Sequence, residues 1–150
     1  MLSHFKELKD RQLIILDANF ILIPSQFGID YVAEIREIIP GKLAFIVFRF
    51  TIEELISKAK REKNKTKFQK QLDLSLQILK KQEYHEIPLK KRENEKVDDF
   101  LIRICQELIN KDYKIHLATN DKELRSVARE LGINVIYMRQ EKRIVSDRYD

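Results

Sequence analysis

The chain has 150 residues, 43% hydrophobic and 35% charged, a length that buries roughly two-thirds of the unfolded surface on folding and implies one domain with a real core. That balance excludes a solvated disordered tail and a membrane span, and three glycines and three prolines leave no flexible linker. With 29 basic and 24 acidic residues the net charge is +5, which permits a polyanionic partner without requiring one.

Residues 1–11 mix Phe5 and Leu8 with Lys6, Glu7, Lys9 and Asp10. They lack the apolar stretch of a secretory signal, and nothing in the chain nears the ~20 apolar residues of a membrane helix, so a soluble, cytoplasmic protein is expected. Residues 12–16 form a short apolar run read as a strand. Asp17 follows it, so its carboxylate leaves the sheet at a strand's carboxyl end, where ligands bind in open α/β sheets. An Asx-type turn helped by Asn19 accounts for the same residue.

A helix is predicted over 29–39, stopped by Pro40-Gly41, and a second strand over 43–48. The next helix, 51–62, carries Glu54, which Thr51 three residues earlier turns into a candidate capping box. Residues 58–70 crowd Lys58, Lys60, Arg61, Lys63, Lys65, Lys67 and Lys70 against Glu62. This is either a solvated helical exterior or an edge that contacts phosphates, with Lys58, Arg61, Lys63, Lys65 and Lys67 as candidate RNA-binding residues.

A helix over 66–82 is followed by one over 95–110, where Asp98 falls inside the apolar arc of Leu101, Cys105 and Ile109 while Asp99 lies outside it. A carboxylate facing the core is costly unless paired or cation-bound, although an early-turn interaction with the helix dipole also suits Asp98. Cys105, the one cysteine, reads as core. Strands over 114–117 and 134–137 flank a helix over 121–131 stopped by Gly132. Asp121 directly follows the first of these strands, with Asn120 as candidate N-cap and Glu123 at N3. His4, His85 and His116 lack metal-ligand spacing, and His116 reads as a satisfied core or edge residue. The alternation of strand and helix predicts a three-layer α/β/α sandwich with a central, mainly parallel sheet.

Asp17, Glu54, Asp98 and Asp121 converge if the strands beginning at Gln12 and Lys114 are neighbours. A purely oxygen-donor cluster suits Mg²⁺ or Mn²⁺ better than Zn²⁺, and the reaction class it proposes is metal-assisted phosphodiester hydrolysis. No Gly-x-Gly-x-x-Gly, Walker or Gly-x-Ser-x-Gly motif occurs.

Four segments in order resemble the PIN-domain nucleases: residues 14–20 (Ile-Ile-Leu-Asp-Ala-Asn-Phe), Glu53-Glu54-Leu55, residues 97–102 (Val-Asp-Asp-Phe-Leu-Ile) and residues 118–124 (Ala-Thr-Asn-Asp-Lys-Glu-Leu). The resemblance covers roughly residues 12–140 and treats 1–150 as one such domain. Asn19-Phe20 and the ending Val135-Ile136-Tyr137-Met138-Arg139-Gln140 look most like archaeal relatives of the ribosomal-RNA-processing branch. The resemblance implies a Mg²⁺- or Mn²⁺-dependent endoribonuclease acting on ribosomal RNA or its precursor. In it Asp17, Glu54, Asp98 and Asp121 are catalytic, Asp17, Asp98 and Asp121 hold metal, and Asn19 and Thr119 support them. Glu53 or Glu54, and Asp98 or Asp99, supply the second and third carboxylates; the helical wheel favours Asp98 and the Glu-Leu pairing favours Glu54. Two other readings remain at this point. A toxin ribonuclease predicts a neighbouring antitoxin partner, and a catalytically silent RNA-binding or assembly module predicts RNA binding alone. A homodimer is a further possible partner state.

Overall fold

A computed structural model describes residues 2–63, 65–140 and 142–149. A 3-10 segment, Leu2–Leu8, leads into β1 (Gln12–Leu16), followed by α1 (Ala18–Ile21), α2 (Ile23–Phe27), α3 (Tyr31–Ile38) and β2 (Leu43–Phe48). Then come α4 (Arg49–Arg61), α5 (Lys65–Lys81), β3 (His85–Ile87), α6 (Val97–Asn110), β4 (Lys114–Ala118), α7 (Lys122–Glu130), β5 (Asn134–Met138) and β6 (Ile144–Ser146). The six strands form one sheet in the order β3-β2-β1-β4-β5-β6. The first five pair in parallel, while β6 runs antiparallel to β5.

Apolar residues on both faces of each central strand produce this architecture. Along β1, Ile14 and Leu16 enter the core under α1–α5, whereas Leu13 and Ile15 enter the core under the 3-10 segment, α6 and α7. Phe20, Tyr31, Leu55 and Leu72 fill the first core, and Phe5, Phe100, Cys105 and Leu124 the second. Helices therefore cover both faces, giving the three-layer sandwich. Cys105 is wholly buried there, and burial pushes its thiol up to about 12, which suits packing and not nucleophilic chemistry.

The predicted adjacency of β1 and β4 is present, with Gln12 opposite Lys114 and Leu16 opposite Ala118. From β1 the chain builds the sheet toward β2 and β3; from β4 it builds the other way. Their carboxyl ends therefore mark the switch point, where neighbouring connections diverge and leave a crevice. Among the described residues no helix is long and apolar enough to cross a membrane.

Candidate active site at the switch point

The crevice is a depression of about 410 Å³ whose lining includes Asp17, Glu54, Asp98 and Asp121. Asn19, Leu22, Gln26, Lys58 and Arg61 also line it. Glu53 and Asp99, the alternatives to Glu54 and Asp98, are not part of its lining. A depression of about 510 Å³ elsewhere, beside Leu2, Glu107 and Tyr113, gathers no comparable set of carboxylates.

Asp17 is only 8% exposed. Its Oδ1 accepts the Ala18 amide at 2.8 Å, and its Oδ2 accepts the Thr119 hydroxyl at 2.8 Å and the Asn19 side-chain amide at 3.3 Å. Burial raises its pKa above the ordinary carboxylate range, the Thr119 and Ala18 bonds oppose that rise, and the charges of Asp121 and Glu54 add to it. The expected turn role is thus real, since Asp17 caps α1, and it coexists with a place in the crevice.

Thr119 is fully buried. Its hydroxyl donates to Asp17 and accepts the Asp121 amide at 3.1 Å, so one side chain sets the carboxylate of one strand end and the backbone of the other. Asn19 spans the same gap: besides its bond to Asp17, its Oδ1 accepts the Asn120 amide at 3.1 Å. Replacing Thr119 by valine removes a bond that favours ionised Asp17, so the Asp17 pKa rises further. Activity that needs the ionised carboxylate is then lost at higher pH as acid is added. The expected result is an acid limb of the kcat/KM profile displaced upward in pH, with about 1–3 kcal/mol of stability lost; an unmoved limb would separate Thr119 from Asp17 function.

Three expectations are corrected. Asn120 does not cap α7; Asp121 does, its Oδ1 accepting the Glu123 and Leu124 amides. Asn120 is occupied elsewhere, accepting the Met138 amide from β5 at 2.9 Å, while its carbonyl takes a 2.9 Å bond from Arg125. The Thr51–Glu54 capping box does not form either, because α4 begins at Arg49 with Phe48 as its uncapped N-cap residue. Thr51 is buried and Glu54 lies beyond the first turn, exposed toward the crevice.

Asp98, placed toward the core by the wheel, is exposed. It sits in the first turn of α6 at the flank of the apolar face: Phe100 and Leu101 pack in the core, whereas Ile109, counted in the arc by the wheel, is exposed, so the buried arc is narrower and Asp98 faces the crevice. Partial desolvation raises its pKa, with Asp17, Asp121, Asp99 and Glu123 adding repulsion in that order.

The basic segment divides. Lys58 and Arg61 reach the crevice, and the Lys58 ammonium lies 5.4 Å above the Phe68 ring. Lys65 lines a separate depression with Lys60 and Lys70, and Lys63 and Lys67 are exposed outside both. His116 is buried at mid-strand and bonded to Gln12 at 2.9 Å, and burial holds it down to about 4. Its Nδ1 has no partner among the described residues, so the ring is satisfied on one side only.

Sequence reasoning missed Leu22, at the junction of α1 and α2, and Gln26 of α2, which line the crevice, and the tie through Asn120 and Arg125. Pro24 early in α2 and Gly28 in the left-handed conformation at its end were the available signals for that helix.

The crevice offers oxygen donors and, among the described residues, no His or Cys, namely four carboxylates beside the Asn19 and Gln26 side-chain amides, and the carboxylate charges act on one another there, so the donor set fits a hard divalent cation. Among the described residues no three His, Cys, Asp or Glu side chains close into a metal-binding group. Asp17 and Asp121 each commit an oxygen to a local helix start. An ion that keeps several waters needs only one or two direct carboxylates, so the set fits Mg²⁺ or Mn²⁺.

Comparison with curated proteins finds no match. Among solved structures, the PIN domain endonuclease Utp24 aligns with a TM-score of 0.66 and 22% identity over 91% of each chain, a similarity of fold. A model of the PIN-like domain matches residues 14–141, a span that holds the whole crevice, and the chain belongs to the PIN-like domain family.

Proposed function

We propose that residues 1–150 form one nuclease domain, a Mg²⁺- or Mn²⁺-dependent endoribonuclease acting on ribosomal RNA or its precursor. The observation that carries this reading is the meeting of Asp17, Glu54, Asp98 and Asp121 with Lys58 and Arg61 around one crevice at the switch point. The ribosomal assignment draws on the resemblance of Asn19-Phe20 and the β5 ending to the archaeal branch; the fold similarity to the PIN domain endonuclease Utp24 is consistent with the nuclease part of the reading.

Asp17, Asp98 and Asp121 would hold the cation between them, one or two directly and the rest through its waters. When bound, it supplies charge neutralisation at the phosphodiester and makes water more acidic. Thr119 and Asn19 hold Asp17 in its orientation, and Lys58 and Arg61 neutralise phosphate charge at the crevice wall. Glu54, one helical turn before Lys58, is placed to accept a proton from water at the wall they share.

The test is cleavage of a structured ribosomal RNA fragment by purified protein. Cleavage is expected with Mn²⁺, none with EDTA, and severe loss with Asp98→Asn. Intact RNA in Mn²⁺, or full activity in the variant, would overturn the reading. The capping roles of Asp17 and Asp121 favour a second reading, an RNA-binding module without catalysis, which predicts RNA binding and no heat on Mn²⁺ titration.

A further inference from the structure

We propose that the loop between β3 and α6, residues 88–96, is a second phosphate-binding bank, so that an RNA strand lies lengthwise along α4 across the acidic crevice. This rests on the nuclease reading above and adds the path of the substrate.

The α4 helix supplies the line. Phe50, Glu54, Lys58 and Arg61 are spaced by four, four and three residues, which places them on one face. The stripe runs about 16 Å along the axis from Phe50 to Arg61. Lys58 and Arg61 occupy its far end, and Glu54 lies at the crevice. At its near end the Lys91 ammonium sits 5.7 Å above the Phe50 ring. A cation from the loop therefore stands at the same helix face as the crevice glutamate, one turn before it.

The loop's charge is nearly all positive and outward. Lys90, Lys91, Arg92 and Lys96 are exposed, and Lys96 is the residue before α6, two positions from Asp98. Of the two acidic residues interspersed, Glu95 is neutralised by Arg103, whose Nε and Nη2 donate to its oxygens at 2.8 and 2.9 Å. The same carboxylate accepts the Arg92 amide at 2.9 Å, which fixes the loop's turn. Glu93 alone opposes the lysines. Basic residues thus flank the carboxylates at both ends of the α4 stripe, an arrangement that fits a polyanion held on either side of the bond to be cut, with the acidic middle left for cations.

The probe is a fluorescein-labelled 15-nucleotide oligouridylate in EDTA, so that binding is read by anisotropy without cleavage, from 50 to 300 mM KCl. Replacing Lys90, Lys91 and Lys96 by alanine is expected to make the slope of log K against log salt shallower by about 2, at about 0.7 per phosphate contact for single strands. The Lys58→Ala, Arg61→Ala pair should remove about 1.4 on the same basis. A control set, Lys6→Ala, Lys111→Ala and Lys114→Ala, is exposed and away from α4, and should leave the slope unchanged. A wild-type slope in the loop variant, or an equal loss in the control, overturns the second bank and leaves the nuclease reading standing. A wild-type protein that binds with no salt dependence overturns the RNA reading itself and the bank with it. All substituted residues are exposed lysines or arginine, and circular dichroism verifies the fold of each variant.

Discussion

Replacing Asp17 by asparagine is expected to slow RNA cleavage by at least about a thousandfold, the effect of losing about 4 kcal/mol of transition-state stabilisation, while leaving the protein folded. Asparagine caps helices about as well as aspartate, so the start of α1 survives, and the amide oxygen can still accept the Ala18 amide. What disappears is the charge, at the one carboxylate that is buried among the described residues, held by Thr119 and Asn19, and set in the switch point itself. The pH dependence of stability gives a second readout. Burial raises the Asp17 pKa, so the protonated form favours the fold; that contribution is full below the unfolded pKa and is lost as pH rises through the raised folded value. The wild type therefore loses more stability across that window than Asp17→Asn, in which the raised Asp98 still contributes its own share. Single-turnover cleavage in Mn²⁺ beside thermal melts across the acidic range checks both. Undiminished cleavage by a folded variant would remove Asp17 from the chemistry.

The placement of this site was legible because it depends on long-range order that the apolar runs already encode. β1 is apolar on both faces and β4 carries Ile115 and Leu117 on one face, which fits a buried parallel sheet, and Asp17 and Asp121 are the first charged residues past their ends. Glu54 was harder, since a capping box and a crevice residue look the same in sequence. The chain settled the matter by starting α4 at Arg49, ahead of Thr51. The wheel placed Asp98 in the core because it counted Ile109 in the apolar arc; Ile109 is exposed, so the buried arc ends short of Asp98, and an apolar residue at the arc's edge does not reveal in sequence which side of that edge is covered. The segments that escaped detection are short. β3 and β6 have three residues each and α1 has four, too few for a period to register, and tertiary pairing alone maintains them. Asn120 was misread for a related reason: its partners, Asn19 in α1 and Met138 at the end of β5, are distant in sequence, and local capping rules do not see them.

The largest expected loss of stability follows from Phe100→Ala. Phe100 is fully buried in α6, two residues after Asp98, with its ring edge-on to Phe48 at 5.1 Å and to Phe50 at 4.9 Å. It therefore joins the end of β2, the first turn of α4 and the first turn of α6. Truncating a buried Phe to Ala costs about 3–5 kcal/mol through lost transfer energy and the cavity left behind. With a urea slope of about 2 kcal/mol per molar, the midpoint should fall by about 2 M. The consequences extend to the site, because the same ring seats the helix carrying Asp98 and the Phe50 ring that lies beneath Lys91. Cleavage per folded molecule, measured without urea, should fall in Phe100→Ala, and Phe100→Leu should restore most of the stability and part of the activity. Full activity per folded Phe100→Ala molecule would mean that the sheet and the first turn of α6 position Asp98 without the aromatic cluster, and that Phe100 serves stability alone.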